Sequence, residues 1–259
     1  MKIIKSVTGG INTLLVKFFG LRVVGTVADE YRTRVHPYHR ISNVVKNLFE
    51  NDDITLFEVG VNTGGIIDLF LSMPNNINII GLEPNIDLFS FLKNKYKDVD
   101  NVELYNNALS DDKGTLDFYI TKSDNLSSFI EPLEKTEALS VREKVEVEVV
   151  SGDEFCELHH SEKIDVLSIN VQGFEKKVLQ GFSKSFENRR VKSIIVEIDF
   201  SDRYEPTSFY DIENIIKKYG FYLFEINLIK IDNSQNEKYP VGIKMVDCFY
   251  VLKNHEKLT

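Results

Sequence analysis

The stretch "FEVGVNTGG", residues 57–65, places three glycines directly after the apolar run Ile54-Thr55-Leu56. A short strand that ends in a glycine turn and opens a helix points backbone N–H groups, and the positive end of the helix dipole, at a ligand. Three ligand classes compete for such a turn. A P-loop needs a Lys-Ser/Thr pair to close it, and here the chain continues Gly65-Ile66-Ile67. A dinucleotide turn reads G-x-G-x-x-G, but Asn62 stands where the middle glycine would let the chain approach a pyrophosphate. S-adenosylmethionine carries no phosphate and does not need that glycine. Glu58 can take its ammonium, the turn 60–64 can run beside its methionine moiety, and Glu83, 23 residues after Gly60, can accept from its ribose hydroxyls.

Outward from the turn, apolar strands alternate with amphipathic helices. Strands are expected at 54–60, 77–82 and 102–105, with helices at 64–73 and 85–96, the latter carrying Leu88, Leu92 and Tyr96 on one face. The alternation resumes with a strand at 164–169, a helix at 173–182, a strand at 193–198 and a helix at 208–219 that stops at Gly220. Strands at 221–226 and 246–252 close the set around a polar turn at 233–238. Continuous apolar strands separated by helices make a mostly parallel sheet covered on both faces, an α/β fold. Residues 114–120 and 145–150 read as extra strands, and the polar segment between them, with Ser127, Ser128 and Arg142, reads as an insertion over the sheet.

The chain has 259 residues and a net charge of −9, unevenly placed. Residues 1–46 hold eight Lys/Arg against Asp29 and Glu30, a balance of +6, which leaves −15 on the remainder. An acidic body argues against broad nucleic-acid binding. The expected organisation is a basic helical arm over 1–50 followed by one domain over 51–259. Residues 1–24 space Ile4, Val7, Ile11, Leu14, Leu15, Phe18 and Phe19 as a helix does, with lysines between them. That segment suits packing on the domain or on a second copy in a homodimer, or peripheral contact with a membrane surface. It does not read as a signal peptide, and no apolar run is long enough to span a bilayer. Cys156 and Cys248 read as reduced thiols, in keeping with a cytoplasmic protein.

Several ordered blocks extend the glycine turn: "GLEPNIDLFSFLKNK" (81–95), "NVELYNNALSDDKGTLDFY" (101–119), "NLSSFIEP" (125–132), "VEVEVVSGDEF" (145–155), "IDVLSINVQGFEKKVLQGF" (164–182) and "IIVEID" (194–199). In order and spacing the chain resembles the FkbM family of S-adenosylmethionine-dependent methyltransferases across roughly residues 30–252. The resemblance implies a Rossmann-like sheet of seven strands with the last antiparallel. It implies that Glu58, Gly60, Asn62 and Gly64 line the amino-acid end of the cofactor, Glu83 the ribose, Asn107 and Ala108 the adenine, and Asn170 to Gln172 the methyl group and acceptor. The chain departs from the family pattern at Asn170, usually Asp; at Ser168; at Gln172, often Glu; and at Gly152, usually Leu, where looser local packing is expected.

Methyl transfer is an in-line displacement, so the protein must align the groups and exclude water. A hydroxyl acceptor also gains from a positioned base. The candidates are His36, His39, Glu175, Glu197 and Asp199, with Glu197 preferred because carboxyl ends of parallel strands line such sites. Glu197, Asp199 and Asp202 are also ligand types for Mg²⁺, but their spacing is not that of a dedicated site, and no metal is assigned. The expected activity is O-methylation of a hydroxyl on a sugar or glycan precursor. Its rivals are a nicotinamide-dependent oxidoreductase and a non-catalytic cofactor- or glycan-binding member kept in view by Asn170.

Overall fold

The computed structural model describes residues 44–45, 48–49, 53–201, 203–204, 208–232 and 242–253. The segment 1–24, His36, His39, Asp202 and the turn 233–238 lie outside the described residues.

The chain runs β1 (Ile54–Val59), α1 (Gly65–Leu71), β2 (Ile77–Leu82), α2 (Ile86–Lys95), β3 (Val102–Tyr105), β4 (Ala108–Ser110), β5 (Gly114–Thr121) and a 3-10 turn (Asp124–Leu126). It continues with β6 (Val141–Ser151), α3 (Gly152–Leu158), β7 (Ile164–Ile169), α4 (Glu175–Gln180), α5 (Ser183–Glu187), β8 (Val191–Asp199), α6 (Phe209–Lys217), β9 (Phe221–Asp232) and β10 (Gly242–Leu252). The main sheet has seven strands in the order β3-β2-β1-β7-β8-β10-β9. Every pairing from β3 to β8 is parallel, and β10 runs antiparallel to both neighbours. The strand order therefore reverses between β1 and β7, and a crevice opens there beyond their carboxyl ends, where open α/β sheets take their ligands.

The burial pattern explains why these strands are legible as unbroken apolar runs. All six residues of β7 are buried, because helices cover both faces. One face packs Phe57, Val59 and Leu167 against Phe155, Leu179, Phe182 and Ile212. The other packs Leu56, Ile79 and Val166 against Ile66, Phe70 and Leu92. Val45, Leu48 and Phe49, within the expected N-terminal arm, are buried in that second core.

The insertion forms its own three-stranded sheet, β4-β6-β5, with β5 and β6 antiparallel. Three local expectations change. The helix expected over 173–182 is shorter, α4 alone, and stops at Gly181, where an added Cβ would stand 2.1 Å from the Ser110 carbonyl oxygen; a second short helix, α5, follows it. Helix α3 was not expected; its signal is the Ser151 cap, whose hydroxyl accepts from the Glu154 N–H. Gly152 does not loosen its surroundings. The Phe182 ring fills the space, 2.5 Å from where a Cβ would be, so a leucine has no room.

Candidate active site

A cavity of about 530 Å³ lies over the carboxyl ends of β1, β2, β7 and β8, between the glycine turn and the insertion. Its floor is built by backbone. Gly60, Asn62 and Gly64 have φ of +86°, +54° and +83°, so the turn curls away from β1 through three left-handed residues. At Gly60 an added Cβ would stand 2.2 Å from the Asn170 carbonyl oxygen, so only glycine lets the first turn touch the end of β7. Asn170 itself is held to β1 by its N–H on the Val59 carbonyl at 3.1 Å.

Glu83 sits at the end of β2 and is buried. One carboxylate oxygen accepts from the Asn62 N–H at 2.7 Å, the other from the Asn85 N–H at 2.9 Å. This arrangement answers the dinucleotide question. The Asn62 N–H that would meet a pyrophosphate is committed to a carboxylate, which repels one. Burial pushes Glu83 up to about 7, against the two backbone donors that favour its charged form. Glu58 is 2% exposed, and one of its carboxylate oxygens has no hydrogen-bond partner. Burial first, then Glu83 and Asp68, hold its pKa well above the usual carboxylate range. An unsatisfied buried oxygen costs about 1–3 kcal/mol until a donor arrives.

At the far end, Glu197 is buried on β8. It accepts from Asn170 Nδ2 and from Gln172 Nε2, each at 3.2 Å, while Gln172 Nε2 also lies 2.7 Å from Asn170 Oδ1. Burial, then the nearby Glu175 and Asp199, push Glu197 up to about 7. Arg203 does not pair with Glu197; it is committed to Asp199. Glu175 faces away from the cavity and receives the Val171 and Gly173 N–H groups, both at 3.1 Å, so it shapes the loop after β7. Among the described residues no group of three His, Cys, Asp or Glu is placed to hold a metal ion.

Of the residues singled out from sequence, Glu58, Gly60, Asn62, Glu83, Asn170, Gln172 and Glu197 converge on this cavity. Gly64, Asn107 and Ala108 are not in its lining. Gly64 turns toward α2, where Tyr96 Oη lies 2.9 Å from its carbonyl oxygen and 2.8 Å from Asp68. Ala108 is buried in β4, and Asn107 precedes it on a connection that leads away to the second sheet. His39 lies outside the described residues. The roof went unread except for Ser127: Phe118, Asp124, Asn125, Leu126 and Phe129 all line the cavity. Ser128, beside Ser127 in the expected insertion over the sheet, fastens the roof, donating to the Gln172 carbonyl at 2.8 Å. Tyr204 Oη donates to the Leu126 carbonyl.

The model of the methyltransferase FkbM domain matches residues 58–223, well over half of the chain. The chain belongs to the FkbM methyltransferase family. A curated relative, 2-O-methyltransferase NoeI from Sinorhizobium fredii (strain NBRC 101917 / NGR234), is 23% identical over 174 residues, covering 63% of this chain and 70% of that protein. A solved structure from Listeria monocytogenes, assigned to the S-adenosylmethionine dependent methyltransferases, covers 84% of this chain and 98% of its own, at 10% identity and a TM-score of 0.50. A precorrin-6y C5,15-methyltransferase from Geobacter metallireducens GS-15 covers 82% and 88% at 13% identity, with a TM-score of 0.45. This FkbM-family protein is thus an S-adenosylmethionine-dependent methyltransferase, and the oxidoreductase alternative falls away. The cavity fits that cofactor. Glu58 offers an orphaned buried carboxylate oxygen to an ammonium, Glu83 retains acceptor capacity for a diol, and Gly60 leaves the close approach clear.

Proposed function

We propose that this enzyme methylates a hydroxyl group of a sugar, with Glu197 as the general base. When bound, the cofactor supplies an activated methyl group. The protein's own tasks are then to hold the two reactants in line, exclude water and remove a proton. Glu58 binds the ammonium, Glu83 the ribose, and the roof residues Phe118, Leu126 and Phe129 shut out solvent.

The observation that carries the reading is Glu197: a buried carboxylate at the cavity's far end, aimed by two amides and poised near neutrality. A base needs its free lone pairs pointed at the acceptor, and the Asn170 and Gln172 amides fix that direction. Asn170 fits this role better than the family's Asp would, since an aspartate could not donate to Glu197. The relative's 2-O-methyltransferase activity supports a hydroxyl acceptor. Polar lining from Asn125, Ser127 and Gln172 supports a sugar. Two buried free thiols, Cys156 and Cys248, support a reducing compartment, the cytoplasm.

The test is incubation with S-adenosylmethionine and a panel of methyl glycosides, read by mass spectrometry for an added methyl group. Product from wild type that is lost in Glu197→Gln is the expected result. Product formed equally by the variant moves the base elsewhere, and product from simple alcohols but no sugar removes the acceptor class.

A further inference from the structure

Among the described residues four carboxylates line the cavity, Glu58, Glu83, Asp124 and Glu197, against one cation, Arg203, which is spent on Asp199. Asp124 is partly compensated by Arg142 at 3.4 Å on the roof. Glu58 and Glu197 have no cation within ion-pairing distance among the described residues, and one oxygen of Glu58 has no hydrogen-bond partner at all. A buried site with this balance attracts cationic ligands and rejects anionic ones. The carboxylates differ in what they face. Glu58 near the end of β1 and Glu83 just after β2 flank the glycine turn, which would meet the parts of the cofactor that do not change in the reaction. Glu197 is one residue further on: the Asn170 carbonyl touches Gly60, and the Asn170 side chain donates to Glu197.

We propose that Glu197 is the counter-ion for the transferable charge of the cofactor, so that the site distinguishes the sulfonium substrate from the thioether product. This rests on the methyl-transfer reading of the cavity. The charge balance closes without any other group. The carbon–sulfur bond breaks with its electron pair remaining on sulfur, the carbon–oxygen bond forms, and the hydroxyl proton passes to Glu197. The positive charge on sulfur and the negative charge on Glu197 vanish together, leaving a neutral product beside a neutral acid. Glu197 then has no charge with which to hold the product's sulfur, while Glu58 still faces its ammonium.

The groups that face Glu197 among the described residues are compatible with this cycle. Asn170 and Gln172 are neutral donors. Glu175, at the start of α4, raises its pKa, and so does Asp199, whose charge is balanced by Arg203. Asp247 stands opposite it on β10, and burial and Glu197 itself hold its pKa well above the usual carboxylate range, which favours its neutral form. Glu197, pushed up to about 7, is ionised above neutrality and takes a proton below it.

The experiment is calorimetric titration of the full chain with three ligands that differ only at the reacting atom: S-adenosylmethionine, S-adenosylhomocysteine, and sinefungin, which carries an amine there. At pH 8 the two cationic ligands should bind on the order of tenfold tighter than the thioether. At pH 5.5 the gap should shrink to about twofold as Glu197 is neutralised. Glu83 is raised to about 7 as well, so the pH arm reads the buried carboxylates together and the Glu197→Gln arm assigns the effect to Glu197. Glu197→Gln should remove the gap at both pH values while leaving the thioether affinity within about twofold of wild type. A thioether that binds as tightly as the sulfonium at pH 8, or a gap that does not move with pH, overturns the proposal using wild-type protein alone. A gap that persists in a folded Glu197→Gln also overturns it. Absence of binding by all three ligands overturns the cofactor reading as well, a result distinct from equal binding.

Discussion

The two ends of the cavity are built by different means. At the glycine turn the chain makes its site from backbone: three left-handed residues, a close approach at Gly60, and a carboxylate fixed by two N–H groups. At the Glu197 end the site is made of side chains from separate elements, with Glu197 of β8 steered by Asn170 and Gln172 and roofed by the insertion. A backbone site tolerates almost no substitution and accepts one ligand. A side-chain site can be retuned residue by residue.

The sharpest way to break that contrast is at Gly60. An alanine there must adopt a left-handed φ and place its Cβ 2.2 Å from a backbone oxygen that cannot move without shifting β7. Gly60→Ala should weaken S-adenosylhomocysteine binding by about a hundredfold or more, well beyond the ~1–2 kcal/mol of the dihedral alone. Titration of protein shown to be folded by circular dichroism checks it. Binding within a few-fold of wild type would mean that the turn is not the cofactor floor.

At the other end, Glu197→Gln should lower kcat by about 10²–10⁴-fold, the usual contribution of a positioned base. In wild type, kcat should rise with pH and level off above about 7, because burial raises Glu197 to that value and only the ionised form accepts a proton. A flat profile from pH 6 to 8 would contradict the assignment. Asn170→Asp should act less severely, by about tenfold or less. It replaces a donor to Glu197 with a second carboxylate, so the rising limb of the profile should move to higher pH.

A smaller effect concerns stability. Glu83 and Glu197 have folded pKa values raised from 4.5 to about 7, so the folded protein keeps protons that the unfolded chain loses. Their contribution is complete below about 4.5 and declines as pH rises to about 7. The ligand-free protein should therefore melt a few degrees higher at pH 5.5 than at pH 8, roughly 2–4 °C per kcal/mol for a chain of this size. An ammonium delivered to Glu58 should narrow that difference. Equal melting temperatures at the two pH values would show that these carboxylates are ionised in the free protein.

These two ends also differ in how far they could be read from residues alone. The β1 turn is local: the glycines and Glu58 are contiguous with the apolar run of β1, and the parallel register of β2 carries Glu83 to the same edge. Glu197 was legible because strand ends line such crevices. What holds it was not: Asn170 and Gln172 are 27 and 25 residues away in sequence, and only the fold brings their amides to Glu197 while Arg203 pairs with Asp199. The roof was illegible for the same reason. Its position depends on packing across the insertion, with Phe129 between Phe118 at 4.8 Å and Phe174 at 5.2 Å. The Asn107 and Ala108 assignments followed the resemblance, and here that segment turns into the second sheet instead of the cavity. Ser128 shows a similar limit: a polar residue in a lid can as easily be a fastening as a contact.

Whether this cavity holds S-adenosylmethionine through the glycine turn, Glu58 and Glu83 is tested most directly by calorimetric titration of wild type with S-adenosylhomocysteine beside Glu83→Ala. Wild type should bind at micromolar affinity, weakened about tenfold or more when the ribose acceptor is lost. No binding at millimolar ligand, by protein shown to be folded, would contradict that reading of the cavity.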